Sequence, residues 1–218
     1  MYKKTIALFG GSGGIGSKLI PLLEENFTVI PISKKIVDIT NYNEVEDFFN
    51  NNKIDIVINA SGINYDGFIH KFDKVNISKI DEQIDVNIKG TINIINCSLK
   101  YMRAQGYGRI ILFSSILSTM PVISTGIYAS CKGFIDTLVK VVSIENLNKG
   151  IACNSIQLGY FDGGLTHRIA ENFRNTILND IPLKRWGKIE ELYNVINMLI
   201  ETEYISGTNI KINGGIYV

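Results

Sequence analysis

Tyr128 and Lys132 stand four residues apart in "GIYASCKGF", residues 126–134. On a helix, positions i and i+4 share a face, so this spacing sets a phenol beside an ammonium. A phenol with an ordinary pKa of about 10 suits neutral proton transfer poorly, and a nearby positive charge favours its ionised form. Such a pair can hand a proton to an oxygen, as reducing a carbonyl requires, if it lies within about 3 Å of that oxygen. With ten tyrosines in the chain the spacing also arises by chance. A solvated helix face is the plainer alternative, and the rest of the chain must discriminate.

A second candidate is "FGGSGGIGSK", residues 9–18, which follows an apolar run. It contains G-x-G-x-x-G as Gly11, Gly13 and Gly16, and also the spacing Gly10, Gly14, Gly16. Either pattern turns the backbone tightly and aims N–H groups at a phosphate on a helix N-terminus. Ser17 occupies the position where a nucleotide-triphosphatase loop has lysine. A dinucleotide is therefore favoured over a turn without a ligand. After the next apolar run come Ser33, Lys34 and Lys35, where an acid would bind the ribose hydroxyl of NAD. Basic residues there suit the extra phosphate of NADP, so NADP(H) is favoured over NAD(H); a solvated turn is the competing view of the two lysines. Asp38 belongs to the following segment rather than to the ribose.

These residues need a scaffold, and the apolar pattern supplies one. Near-continuous Ile- and Val-rich runs at 5–9, 27–32, 54–60, 108–114, 150–157 and 209–213 read as strands buried on both faces. Helical patterns at 15–25, 42–51, 77–105, 127–148 and 189–201 alternate with them. Strict alternation predicts an α/β fold, a single doubly wound parallel sheet with helices on both faces, spanning 1–218 as one domain. A net charge of +1 offers no field for nucleic acid. Cys97, Cys131 and Cys153 suggest neither a disulfide framework nor a zinc site, and His70 and His167 lie in no metal-ligand pattern. No metal is expected. The start lacks a signal peptide and no stretch is long enough to span a membrane, so a cytoplasmic location is expected.

The chain resembles the short-chain dehydrogenase/reductase family along nearly its whole length, and most closely its 3-oxoacyl-acyl-carrier-protein reductases. The family's T-G-x-x-x-G-x-G is similar to "FGGSGGIG", with Gly10, Gly14 and Gly16 matching and Phe9 replacing threonine. Its D-[VI]-[TS] resembles Asp38, Ile39 and Thr40, and its N-N-A-G resembles Asn59, Ala60, Ser61 and Gly62. Asn87 in "DVNIKGT" and Ser115 in "RIILFSSI", with Ser114 as the alternative serine, precede Tyr128 and Lys132 in the family's order. "NSIQLGYFDGG", "PLKRWGKIEEL" and "YISGTNIKINGG" resemble later family segments.

The resemblance implies a Rossmann fold and hydride transfer between a nicotinamide dinucleotide and a ketone or alcohol. Tyr128 would be the acid and base, and Lys132 would lower its pKa and hold the nicotinamide ribose. Ser115 would bond the substrate oxygen. Asn87 would bend its helix and hold a water that links Lys132 to solvent. Gly10, Ser12, Gly14, Ile15, Gly16, Ser33, Lys34, Asp38, Ile39, Asn59, Ala60, Gly62 and Phe161 would join Tyr128 and Lys132 in binding the cofactor. Gly163 stands where a threonine often bonds the nicotinamide amide, and the chain before Asp38 is too short for the family's next helix.

The substrate, a small-molecule ketone or alcohol such as a 3-oxoacyl thioester, a sugar or a polyol, is expected against the segment from Tyr160 to Trp186. Leu165, His167 and Phe173 lie there, Phe173 better read as lid packing, and Arg168, Arg174, Lys184 and Arg185 are possible anion contacts. A homodimer or homotetramer built on the two long helices is implied. The alternative function is a dinucleotide-binding sensor or scaffold without turnover, for which four intact reacting residues would have no use.

Overall fold

The computed structural model describes residues 3–72, 77–164, 166 and 169–216. Strand β1 (Thr5–Phe9) shows why the apolar runs are continuous. Ala7 and Phe9 enter one core while Ile6 and Leu8 enter another, so no position from Ile6 to Phe9 faces water. The same division holds in β3 (Ile56–Asn59) and β4 (Gly108–Ser115), where Val57, Ile110 and Leu112 oppose Ile56, Ile58, Ile111 and Phe113. With β2 (Thr28–Ile32), β5 (Ile151–Leu158) and β6 (Asn209–Ile212) they form one six-stranded parallel sheet in the order β2-β1-β3-β4-β5-β6.

Helices close both faces. On one, α1 (Gly16–Glu24) and α7 (Ile189–Glu201) contribute Leu19, Leu23, Leu192 and Ile196. On the other, α2 (Tyr42–Asn51), α4 (Gly90–Gln105) and α5 (Gly126–Asn146) contribute Phe49, Ile94, Met102, Ile135 and Val139. The chain leaves β1 toward β2 and returns on the other side with β3. Strand order therefore reverses between β1 and β3, and ligands of open α/β sheets bind in the crevice such a reversal leaves at the carboxyl ends.

Two departures from the sequence pattern bear on the site. The helical stretch read as continuous from 77 to 105 is interrupted: α3 (Ile77–Ile84) gives way to a π-helical stretch, Asp85–Lys89, before α4 begins. The Asn87 side chain is the local cause, since its Nδ2 donates to Ile63 O at 2.8 Å and its Oδ1 accepts from Ile63 N at 3.2 Å. Holding both ends of that amide draws the residue out of regular helical register, as π-bulges at functional sites do. A further helix, α6 (Glu171–Asp180), was not legible because "ENFRNTILND" buries no continuous stripe.

Between β2 and α2 the chain makes only turns, as the shortened sequence implied, and β2 is the sheet edge. Phe9, which replaces a polar family residue, is fully buried and packs edge-on against Phe48 at 5.7 Å and tilted against Phe49 at 6.1 Å. The exchange converts a polar tie into aromatic packing between β1 and α2. Phe9→Ala should lower the unfolding free energy by about 3–5 kcal/mol, read by urea denaturation; a loss below about 1 kcal/mol would refute this packing role.

Candidate active site

Ser115 ends β4, and a one-turn helix, Ile116–Ser118, turns the chain away. Its hydroxyl oxygen accepts the Leu117 N–H at 3.2 Å, which leaves its own hydrogen free to donate. The neighbouring Ser114 hydroxyl is already spent on the Lys132 carbonyl at 3.2 Å. Of the two serines Ser115 is the one that acts on the Tyr128 phenol, favouring its ionised form.

Tyr128 and Lys132 lie on α5, one turn apart, and are both buried, the lysine at 3% exposure. The Lys132 ammonium donates to Phe113 O at 2.8 Å and sits 5.6 Å from the centre of the Tyr128 ring. The expected lowering of the phenol pKa by the ammonium is not what this arrangement gives. Burial pushes the Tyr128 phenol well above its ordinary value; the Ser115 hydrogen bond offsets part of the rise, and the Asp66 carboxylate adds to it. Burial likewise draws Lys132 down to about 8, against the opposing influence of Cys131 and Asp136. Desolvation outweighs charge proximity because both groups are enclosed together.

Asn87 is on the far side of Gly62. A Cβ on Gly62 would come within 3.0 Å of Asn87 Oδ1 and 3.4 Å of Lys132 Nζ, so a glycine there keeps the space between amide and ammonium free of side chain.

The glycine turn meets this cluster from β1. Gly10 has φ +78°, and a Cβ there would strike the Ala60 carbonyl carbon at 2.7 Å, so the turn rests directly on the end of β3. Gly10 and Gly11 both donate to Ile32 O, which ties the turn to β2 as well. The N–H groups of Ser12, Gly14 and Ile15 take no partner among the described residues. Open donors at the N-terminus of α1, without a side chain over them, fit a dinucleotide pyrophosphate. Gly14 also touches the loop after β5: a Cβ on it would lie 2.4 Å from Gly164 N. That loop is fastened by Lys18, whose ammonium donates to Asp162 O at 2.7 Å, and by the Thr166 hydroxyl at 2.8 Å from Gly163 O.

Other expected cofactor residues are arranged unevenly. Ser33 and the exposed Lys34 follow β2 beside the turn, and Lys34 pairs with Asp38 at 3.8 Å. Partial burial of Asp38 is outweighed by hydrogen bonds from Thr40 and by Lys34, which hold its carboxyl below the usual range. Ile39 is buried against Gly90. Both ends of the Asn59 side chain are engaged, by Thr91 Oγ1 at 3.2 Å and Ser61 N at 3.0 Å. The Phe161 ring is core, packed on Gly187, while its N–H has no partner among the described residues.

A pocket of about 630 Å³ opens beside Ser115 and Tyr128, with Leu117, Val122, Ile169 and Ile177 among its walls. Phe173, expected to pack as a lid, instead lines this pocket at 60% exposure. Asn64 and Asp66, which sequence reasoning missed, stand at the same wall, bonded to each other at 2.9 Å with Asn64 Oδ1 buried and unpartnered. Of the possible anion contacts, Arg185 is committed to Glu191 at 2.6 Å and Arg174 lies over the Trp186 ring at 6.0 Å. Lys184 donates to Asn179 O. Leu165, His167 and Arg168 lie outside the described residues.

A family model described as enoyl-(acyl carrier protein) reductase matches residues 28–217. The chain belongs to the short-chain dehydrogenase/reductase family. That family consists of NAD(P)-dependent oxidoreductases acting on CH–OH and C=O groups, and this member is one of them. It is 29% identical over 167 residues to 3-oxoacyl-(acyl-carrier-protein) reductase FabG of Staphylococcus epidermidis, covering 76% of this chain and 67% of the relative. It is 28% identical over 167 residues to an acetoacetyl-CoA reductase of Allochromatium vinosum, with the same coverage of 76% and 67%. Its fold superposes with a TM-score of 0.87, at 23% identity and 98% coverage of both chains, on a small-chain dehydrogenase crystallised with NADPH.

Within this dehydrogenase, the segment resembling P-L-x-R-x-G-x-x-E-E has a structural explanation. Arg185 and the Lys188 N–H hold Glu191, keeping its carboxyl near 2 and fixing the start of α7. Gly14→Ala, by contrast, forces the 163–164 loop off the glycine turn. Titration of NADPH fluorescence should show at least tenfold weaker binding with an unchanged melting temperature; unaltered affinity would mean that the contact does not shape the cofactor site.

Proposed function

We propose that this protein reduces a ketone to a secondary alcohol, or runs the reverse oxidation, with NADP(H) as the hydride carrier and Tyr128 as acid and base. Ser115 and Tyr128 meet at one pocket, with Lys132 buried one turn from Tyr128 and the open N–H groups of the glycine turn nearby, and this arrangement carries the reading. Ser12, Gly14 and Ile15 would hold the pyrophosphate, with Gly10 and Gly16 shaping the turn. Ser33 and Lys34 would take the phosphate on the adenosine ribose, and Asp38 and Ile39 the adenine side. Asn59, Ala60 and Gly62 would flank the middle, Lys132 and Tyr128 the nicotinamide ribose, and the Phe161 N–H the carboxamide. When bound, the nicotinamide ring supplies or takes up the hydride.

The protein's own residues manage the oxygen and its proton. Ser115 donates to the substrate oxygen and stabilises the developing alkoxide. Tyr128, whose proton burial retains across the neutral range, passes it to that oxygen in the reducing direction. Lys132 and the space between it and Asn87 give the phenol a route to regain its proton. The apolar share of the pocket walls, Leu117, Val122, Ile169 and Ile177, suits the acyl chain of a 3-oxoacyl thioester. Three free, buried cysteines accord with a reducing compartment such as the cytoplasm.

Tyr128→Phe should bind NADPH with wild-type affinity and lose at least a thousandfold in NADPH oxidation with a panel of 3-oxoacyl thioesters and ketones. Lys34→Ala should weaken NADPH and leave NADH unchanged. With burial drawing Lys132 down to about 8, kcat/KM for reduction should hold level below that pH and fall above it as the ammonium is lost. Full activity in Tyr128→Phe, or a rate that rises through pH 8, would count against these roles.

An oligomer is supported by apolar side chains left on the two long helices. Ile144 on α5 is 83% exposed, with Val141 and Leu147 near it and Ile92 exposed on α4. Light scattering at micromolar concentration should give a dimer or tetramer mass that drops in Ile144→Glu; a wild-type monomer refutes it.

A further inference from the structure

A second buried cluster lies directly behind the reacting residues and takes no part in the steps above. Asp136 is on α5, one turn beyond Lys132, and is only 7% exposed. Its carboxylate takes donors from two other elements, and its backbone carbonyl takes one from a third. The Gln157 amide on β5 donates to Oδ2 at 2.6 Å, and the Ser155 hydroxyl, also on β5, donates to Oδ1 at 2.9 Å. The Ser118 hydroxyl, in the turn that follows Ser115, also bonds Oδ2. From β6, Asn209 Nδ2 reaches the Asp136 carbonyl at 3.2 Å. Ser118 has a second acceptor within reach, the Ser115 carbonyl at 2.7 Å. The single hydrogen of this hydroxyl is thus shared between the backbone carbonyl of the reacting serine and the carboxylate of the helix that holds the tyrosine and lysine.

We propose that Asp136 is a positioning residue for the site: its carboxylate, through Ser118, fixes the Ser115 corner against α5 and is the counter-charge of the buried Lys132. The inference rests on the roles proposed above for Ser115, Tyr128 and Lys132. A buried carboxylate with three donors costs less than an unpartnered one, but a purely structural purpose would be served as well by apolar packing. Its place one turn from a buried ammonium gives the charge a use. The groups facing Lys132 among the described residues are Tyr128, Cys131 and Asp136 from α5, the Phe113 carbonyl and Ser114 from β4, and Asn87 from the π-helical stretch. Burial raises the Tyr128 phenol and the Cys131 thiol, and Asp136 carries the one carboxyl group of that set. Ser118, Ser155, Gln157 and Asn209, which face Asp136 itself, are neutral.

Two variants separate the charge from the tether. Asp136→Asn keeps an oxygen that can accept from Ser118 and removes the charge; Ser118→Ala removes the tether and keeps the charge. The titration of Lys132 in the free protein is read by NMR of isotope-labelled lysine, its resonance identified by its loss in Lys132→Met. In Asp136→Asn the midpoint should move down by about one pH unit, and the alkaline fall in kcat/KM should move with it. In Ser118→Ala the midpoint should stay, while amide exchange of Ile116–Thr119 speeds up at least tenfold and kcat falls without a change in NADPH affinity. A midpoint at the wild-type value in folded Asp136→Asn overturns the proposal. Should that variant not fold, unchanged exchange in Ser118→Ala does the same. Neither the NMR nor the exchange measurement needs a substrate, so failure of the reductase assignment would appear separately, as wild-type protein without turnover.

Discussion

A parallel sheet covered on both faces has no free side on which to do chemistry. Every strand side chain from Ile6 to Phe9 is committed to packing, and the same holds through β3 and most of β4. Reactive groups can therefore gather only where the strands stop, at their carboxyl ends, and most usefully where strand order reverses between β1 and β3. The glycine turn after β1, the Asn59–Gly62 loop after β3 and Ser115 at the end of β4 are neighbours for this reason. They are far apart in the chain, but parallel register brings each strand end to one rim.

The position of Lys132 then constrains what surrounds it. An ammonium 3% exposed to solvent has lost most of its hydration and must be held by acceptors and opposite charge. The Phe113 carbonyl supplies the acceptor, Asp136 is one turn away, and Gly62 leaves open the side toward Asn87. Enclosure raises the phenol and lowers the ammonium together, so two groups of nearly equal free proton affinity are driven apart, the phenol holding its proton more firmly and the ammonium releasing its own more readily. The π-helical stretch at Asp85–Lys89 belongs to the same enclosure, because the Asn87 amide that distorts the helix is bonded to the loop carrying Gly62.

Much of this was open to inspection in the residues alone. Continuous apolar runs fixed the strands, and the helix at 42–51 coincides with its expected bounds. Tyr128 and Lys132 lie on one helix face as their spacing required. Patterns fail where hydrophobicity is weak or where a tertiary contact overrides local preference. The helix Glu171–Asp180 buries too little to show a stripe, and the interruption near Asn87 depends on a backbone 24 residues away. The ammonium's influence on the phenol was misjudged for a related reason: spacing gives proximity, whereas burial is a property of the assembled core.

By itself the sequence showed the six strands, most of the helices, a parallel sheet and the glycine turn, because each rests on periodicity or on spacing along the chain; the set Asn87, Ser115, Tyr128 and Lys132 followed from its resemblance to the family. Only the tertiary structure decided which serine faces the phenol, that Phe173 lines a pocket instead of sealing one, and that Arg185 belongs to Glu191 and not to a substrate. It alone assembled Ser118, Asp136, Ser155 and Gln157. These look like ordinary surface polar residues in the chain, 18 to 21 positions separating Asp136 from the others. Hydrogen bonding between side chains on different elements has no periodicity, so it becomes visible only when the strands and helices are in register.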